Sequence, residues 1–143
     1  MILMYEDEAA FIEDYIEAIQ ENGYQIEIYK DADGFLKKVR ESYNEIKLMI
    51  IDIMVFGPGN EFSGRSTDGG MSSGLVLIDE LENLEKEKGI GKPIRKIVFT
   101  NRTGPIFEEI KQDKRIWKAI RKSDFLPSEF LDIVKEAIQN GAI

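Results

Sequence analysis

The sequence predicts an α/β fold: an open, doubly wound parallel sheet of five strands with helices on both faces. Three observations lead there. Short apolar runs alternate with amphipathic stretches along all 143 residues, five of each, which is the pattern of successive βαβ units. The strongest run, residues 48–55, is apolar on both faces, as a central parallel strand must be. The length suits one domain and leaves little room for a second.

Residues 2–5 read as a buried strand that ends at Glu6 and Asp7. Residues 8–22 read as a helix, because Phe11 or Ile12, Tyr15, Ile16 and Ile19 recur at helical spacing and Gly23 sits where a C-cap belongs. Residues 24–29 alternate as a second strand. Asp31 or Asp33 can cap the next helix, which carries Phe35, Leu36, Val39 and Tyr43. The third strand, 48–55, is interrupted only by Asp52. Residues 56–74 hold six of the twelve glycines and few large apolar residues, so they read as an extended loop. Leu75, Ile78, Leu81 and Leu84 place a helix over 75–88, and Gly89 and Gly91 end it. A strand over 94–100, a helix over 105–113 and a strand over 116–121 follow. Pro127 opens the last helix, with Phe130, Leu131, Val134 and Ile138 on its apolar side.

Composition excludes several chemistries. There is no cysteine and no histidine, so disulfides, thiolate or imidazole metal sites and Ser-His-Asp triads are all absent. Acid–base or phosphoryl chemistry must use Asp, Glu, Lys, Ser, Thr or Tyr. Nineteen basic against twenty-seven acidic residues leave a formal charge of −8, which repels nucleic acid and anionic membrane. The one basic cluster, Lys111, Lys114, Arg115, Lys118, Arg121 and Lys122, is short and interleaved with core residues. No run is long enough to span a bilayer. The first residues lack a basic n-region and lead straight into acids, unlike a signal peptide. The expectation is a cytoplasmic protein with no direct nucleic-acid or membrane partner.

In an open parallel sheet, sites lie at the carboxyl ends of the strands, where the strand order reverses. Here those ends carry Glu6 and Asp7, Asp52, Thr100 and Lys122. Three carboxylates, a hydroxyl and an ammonium should therefore converge. Gathered carboxylates repel one another, and a hard divalent cation relieves the repulsion. One of them can act as a nucleophile toward phosphorus. Singly, each residue has a plainer reading. Acids suit the start of a helix, a threonine can simply end a strand, and a lysine can be solvated. Asp52 differs, because an acid within Met49, Ile50, Ile51, Ile53, Met54 and Val55 is costly without a purpose.

These motifs resemble a response-regulator receiver domain, the phospho-accepting module of two-component signalling. The resemblance rests on Glu6-Asp7 after strand one and Asp52 ending strand three. It also rests on Thr100 ending strand four and Lys122 lying 22 residues later. It covers the whole chain and implies a flavodoxin-like three-layer sandwich with strand order 2-1-3-4-5. It further implies a single receiver domain over 1–143 with an extended loop at about 56–74 and no output domain.

The resemblance also implies roles. Asp52 would accept a phosphoryl group from a kinase phosphohistidine. Glu6, Asp7, Asp52 and the backbone carbonyl of Met54 would hold Mg²⁺ or Mn²⁺. Thr100 and Lys122 would bind phosphoryl oxygens. The protein would be a switch that catalyses its own phosphorylation and dephosphorylation rather than an enzyme of metabolism. Its partners would be a sensor histidine kinase or histidine phosphotransfer protein and a downstream protein target, with a homodimer as a further option.

Four features depart from the family pattern. The acidic pair is Glu-Asp, Ser123 replaces a proline, Ala119 replaces the aromatic switch residue, and the 56–74 loop is long. With Ala119 so placed, strand alternation would set Trp117 on the same sheet face. Two rival functions are an aspartate-nucleophile phosphatase of the haloacid-dehalogenase type and a degenerate receiver that only docks partners. The phosphatase calls for a second acid where Met54 stands. A nucleotide-binding role for the glycine-rich segment 64–70 lacks the Walker spacing.

Overall fold

Alternating buried strands and amphipathic helices assemble as the sequence dictates. The computed structural model describes residues 1–57, 59 and 66–141. The strands are β1 (Ile2–Tyr5), β2 (Ile26–Tyr29), β3 (Leu48–Ile51), β4 (Lys96–Thr100) and β5 (Lys118–Arg121). They form one sheet of order β2-β1-β3-β4-β5, and every neighbouring pair is parallel. The helices are α1 (Glu13–Glu21), α2 (Ala32–Ser42), α3 (Ser73–Glu87), α4 (Pro105–Lys111) and α5 (Pro127–Gly141). This is the flavodoxin-like sandwich with the predicted strand order.

Strand alternation divides the core in two. Leu3, Tyr5, Met49, Ile51 and Val98 face α2, α3 and α4, meeting Phe35, Leu36, Leu77, Leu81 and Ile110. Ile2, Met4, Leu48, Ile50, Ile97 and Phe99 face α1 and α5, meeting Ile16, Ile19, Phe130 and Val134. No helix among the described residues is long and apolar enough to cross a membrane.

Several boundaries move, each for a physical reason. α1 is preceded by a 3₁₀ turn at Ala9–Ile12, where no side chain caps the helix start. Of the two candidate caps for α2, it is Asp31 whose side chain accepts from the Gly34 N–H, at 2.8 Å. β3 stops at Ile51, four residues before its apolar run ends. Residues 53–55 are drawn instead to the start of α3. Ile53 accepts from the Gly74 N–H at 3.0 Å, and the Val55 N–H donates to Ser73 Oγ at 3.0 Å. α3 accordingly begins at Ser73, so the loop predicted to run to 74 ends at 72. Residues 58 and 60–65, and so Gly64 and Arg65 of the glycine-rich segment 64–70, lie outside the described residues.

The start of β5 differs as well. Its pairing begins at Lys118, after a turn in which Asp113 accepts from Ile116 N–H. The turn shifts the alternation by one residue. Ile116 joins the α2/α3/α4 side with Ala119, while Trp117 packs on the α1/α5 side. Trp117 and Ala119 therefore do not share a face.

Candidate functional site

The strand order reverses between β1 and β3, so the carboxyl ends of these two strands define the crevice. Their register places Tyr5 opposite Ile51, and the Asp52 N–H donates to Tyr5 O at 3.0 Å. Glu6 and Asp52 thus emerge side by side from the two central strands. Both are buried, at 1% and 5% exposure, and Asp7 is half-buried. One oxygen from each of Glu6, Asp7 and Asp52 lies within 4.8 Å of the other two.

Lys122, just past β5, reaches into this cluster from the far side. Its Nζ donates to Glu6 Oε1 at 2.5 Å and to Asp52 Oδ2 at 3.1 Å. With all three carboxylates ionised, one ammonium leaves the group two negative charges in excess. Burial, and then the Asp52 charge, push the Glu6 carboxyl up to about 7 despite the Lys122 ion pair. Burial alone would lower the Lys122 ammonium, but Asp52 and Glu6 overcome it and hold its pKa above the ordinary value. A divalent cation would cancel the residual charge, and an all-oxygen donor set suits a hard ion such as Mg²⁺. The residues present therefore fit such an ion.

Backbone donors fix the carboxylates. Met54 N–H donates to Asp52 Oδ1 at 3.2 Å, Phe56 N–H to Asp7 Oδ2 at 2.9 Å, and Glu8 N–H to Glu6 Oε2 at 3.3 Å. The loop that supplies two of these donors is itself held by Ser73. The buried Ser73 hydroxyl accepts from Val55 N–H and lies 2.8 Å from Val55 O and 3.3 Å from Ile53 O. Next to it, Gly74 is pressed against the Asp52 backbone, where an added Cβ would lie 2.3 Å from Asp52 O. Sequence reading placed Ser73 and Gly74 in a loop; no local signal distinguished them from its other small residues.

Thr100 ends β4, fully buried. Its Oγ1 accepts from Arg102 N–H at 3.1 Å, and no hydrogen bond among the described residues joins it to Asp52 or Lys122. β4 pairs with β3, so Thr100 ends the strand next to the one that carries Asp52. Arg102 extends onward, its guanidinium donating to Met71 O at 2.8 Å.

At Ser123 the chain makes a 3₁₀ turn, Lys122–Asp124. The Tyr15 hydroxyl on α1 lies 2.5 Å from Phe125 O and 3.2 Å from Lys122 O, so it straps this turn from below. Tyr15 also packs on Phe99 and Phe130, with ring centroids 5.2 and 5.8 Å away. Lys122 Nζ stands 6.0 Å from the Phe99 ring centroid. Tyr15 was legible only as a core-facing helix residue. The basic cluster of the sequence is dispersed: Lys122 enters the site, Arg115 pairs with Asp79 and Asp113, and Lys111 pairs with Glu108.

Similar architecture occurs in known structures. A CheY-like response regulator receiver domain protein from Methanospirillum hungatei is 18% identical with a TM-score of 0.70, covering 99% of this chain and 94% of that one. The receiver domain of NtrX from Brucella abortus is 18% identical with a TM-score of 0.68, covering 97% and 98%. A response regulator receiver domain protein from Clostridium thermocellum is 16% identical with a TM-score of 0.66, covering 97% and 94%. No protein-family model and no curated protein matches the sequence. The fold is that of the response regulator receiver domains.

Proposed function

We propose that this chain is a phospho-accepting receiver domain of a two-component or phosphorelay system, acting in the cytoplasm. The carrying observation is the convergence of Glu6, Asp7, Asp52 and Lys122 at the β1/β3 crevice, with Lys122 bridging Glu6 and Asp52. A carboxylate oxygen of Asp52 attacks the phosphorus of a phosphohistidine on a kinase or phosphotransfer protein. The P–O bond forms as the P–N bond breaks, and the electron pair returns to the imidazole.

Lys122, already paired with Asp52, would pair with an oxygen of the transferred group. Thr100, whose oxygen accepts from Arg102 N–H, would donate its hydroxyl proton to another. Glu6, Asp7, Asp52 and the Met54 carbonyl would hold a Mg²⁺ ion, which when bound supplies the positive charge that balances the phosphoryl oxygens. The product is an acyl phosphate that changes contacts with a downstream protein, so the chain works as a switch and not as a turnover catalyst.

Incubation with acetyl phosphate and Mg²⁺ tests this. Intact mass should show one added phosphate, lost in Asp52→Asn. An adduct that survives in Asp52→Asn overturns the assignment, and continuous phosphate release without an adduct points to a phosphatase.

A further inference from the structure

A cavity of about 470 Å³ opens at the opposite, amino-terminal edge of the sheet, between α3 and the turns that lead into β4 and β5. Its size falls within the roughly 300–1,000 Å³ of small-molecule sites. Ile78, Ile90, Pro93 and Trp117 supply apolar wall. The charges around it run against the rest of the chain. Five lining residues are cationic and two are acidic, in a protein of net −8.

The two acids are already matched. Glu85 is paired with buried Lys96 at 2.9 Å, and Glu82 lies 3.8 Å from both Lys86 and Arg115. Arg115 is further satisfied by Asp79 and Asp113. Two cations are left over. Lys114 has no carboxylate partner among the described residues. Arg95 lies 5.1 Å from the Trp117 ring centroid and donates to Ala137 O at 3.3 Å.

We infer that this cavity binds a small organic anion with a planar apolar body. The body would lie against Trp117, Ile90 and Pro93, where burial removes apolar surface from water. The anionic group would meet Lys114, with Arg95 adding positive potential. A neutral ligand would forgo the charge-assisted contact with Lys114, which stands exposed at the rim. The site is separate from the acidic crevice and does not depend on phosphorylation.

The probe is 8-anilinonaphthalene-1-sulfonate, titrated into the full chain. Trp117 is the only tryptophan, so energy transfer to the probe reports proximity to the cavity without mixing. Binding should saturate at one probe per chain, and Asp52→Asn should not change it. Lys114→Glu should weaken it roughly tenfold, the scale of one charge-assisted contact. Ile90→Trp, which fills the cavity, should abolish calorimetric binding. Lys111→Glu carries the same charge change on an exposed residue outside the cavity and should leave affinity unaltered. Binding that does not saturate, or that survives both Lys114→Glu and Ile90→Trp, overturns the site. Equal affinity for uncharged N-phenyl-1-naphthylamine overturns its preference for an anion.

Discussion

Tyr15 and Glu6 show how single groups tune the crevice from outside and inside. The Tyr15 hydroxyl is the donor that holds the Lys122 turn, so Tyr15→Phe removes one hydrogen bond while keeping the ring in its aromatic cluster. Stability should fall by only about 1 kcal/mol, whereas the rate of adduct formation from acetyl phosphate should drop several-fold as Lys122 loses its fixed position. A rate unchanged beside the expected small loss in melting temperature would show that Lys122 is held without Tyr15. Glu6 carries the pH signature. Its folded pKa, about 7, stands above its ordinary 4.5. Between those values Glu6 binds more protons in the folded than in the unfolded state, so its contribution to stability is full below about 4.5 and is lost as pH rises through about 7. In chelator, urea midpoints should decline across that window, and Glu6→Gln should flatten the decline. A wild-type profile already flat there would contradict the assignment.

At the scale of elements, the junction of β3 with α3 is what shapes the site. The apolar run after Asp52 does not extend the strand; it turns to meet the first residues of α3, and Gly74 allows the approach. Both nearest neighbours of an added Cβ are backbone, Asp52 O at 2.3 Å and Ile53 Cα at 2.7 Å, so no side chain can swing aside. Gly74→Ala should therefore cost about 1–3 kcal/mol and displace Asp52, giving a larger loss of adduct formation than of stability. Gly91→Ala is the matched control, since nothing lies within 4 Å of its Cβ position. Its urea midpoint should stay level or rise slightly. Equal effects from the two substitutions would remove the special role of Gly74.

For the molecule as a whole, the sheet separates an acidic crevice at one edge from a cation-lined cavity at the other. Charge concentrated in the crevice opposes folding until it is neutralised, so Mg²⁺ should stabilise the chain globally. At about 10 mM ion and a dissociation constant of about 1 mM, the gain is about 1.4 kcal/mol. Differential scanning calorimetry should show it, with smaller gains in Asp7→Asn and Asp52→Asn. Equal Mg²⁺ shifts in all three proteins would place the ion elsewhere.

Local pattern was enough for the α/β class, the five strands and the five helices, because burial on both faces of β1, β3 and β4 and helical spacing on α1, α2 and α5 leave their mark in neighbouring residues. Asp52 was legible for the same reason: an acid inside an apolar run conflicts with its surroundings. Glu6, Asp7, Thr100 and Lys122 could be read as strand ends, and parallel topology then brings those ends to one edge. What the chain could not disclose were relations between residues far apart in sequence. Tyr15 reaches the Lys122 turn across 107 positions, Ser73 holds residues 53–55, and a turn at Asp113 reverses the faces of Ile116 and Trp117. Periodicity records which way a side chain points along its own element. Which partner it meets, and whether that partner ends a strand or shifts its phase, is decided only when the elements pack.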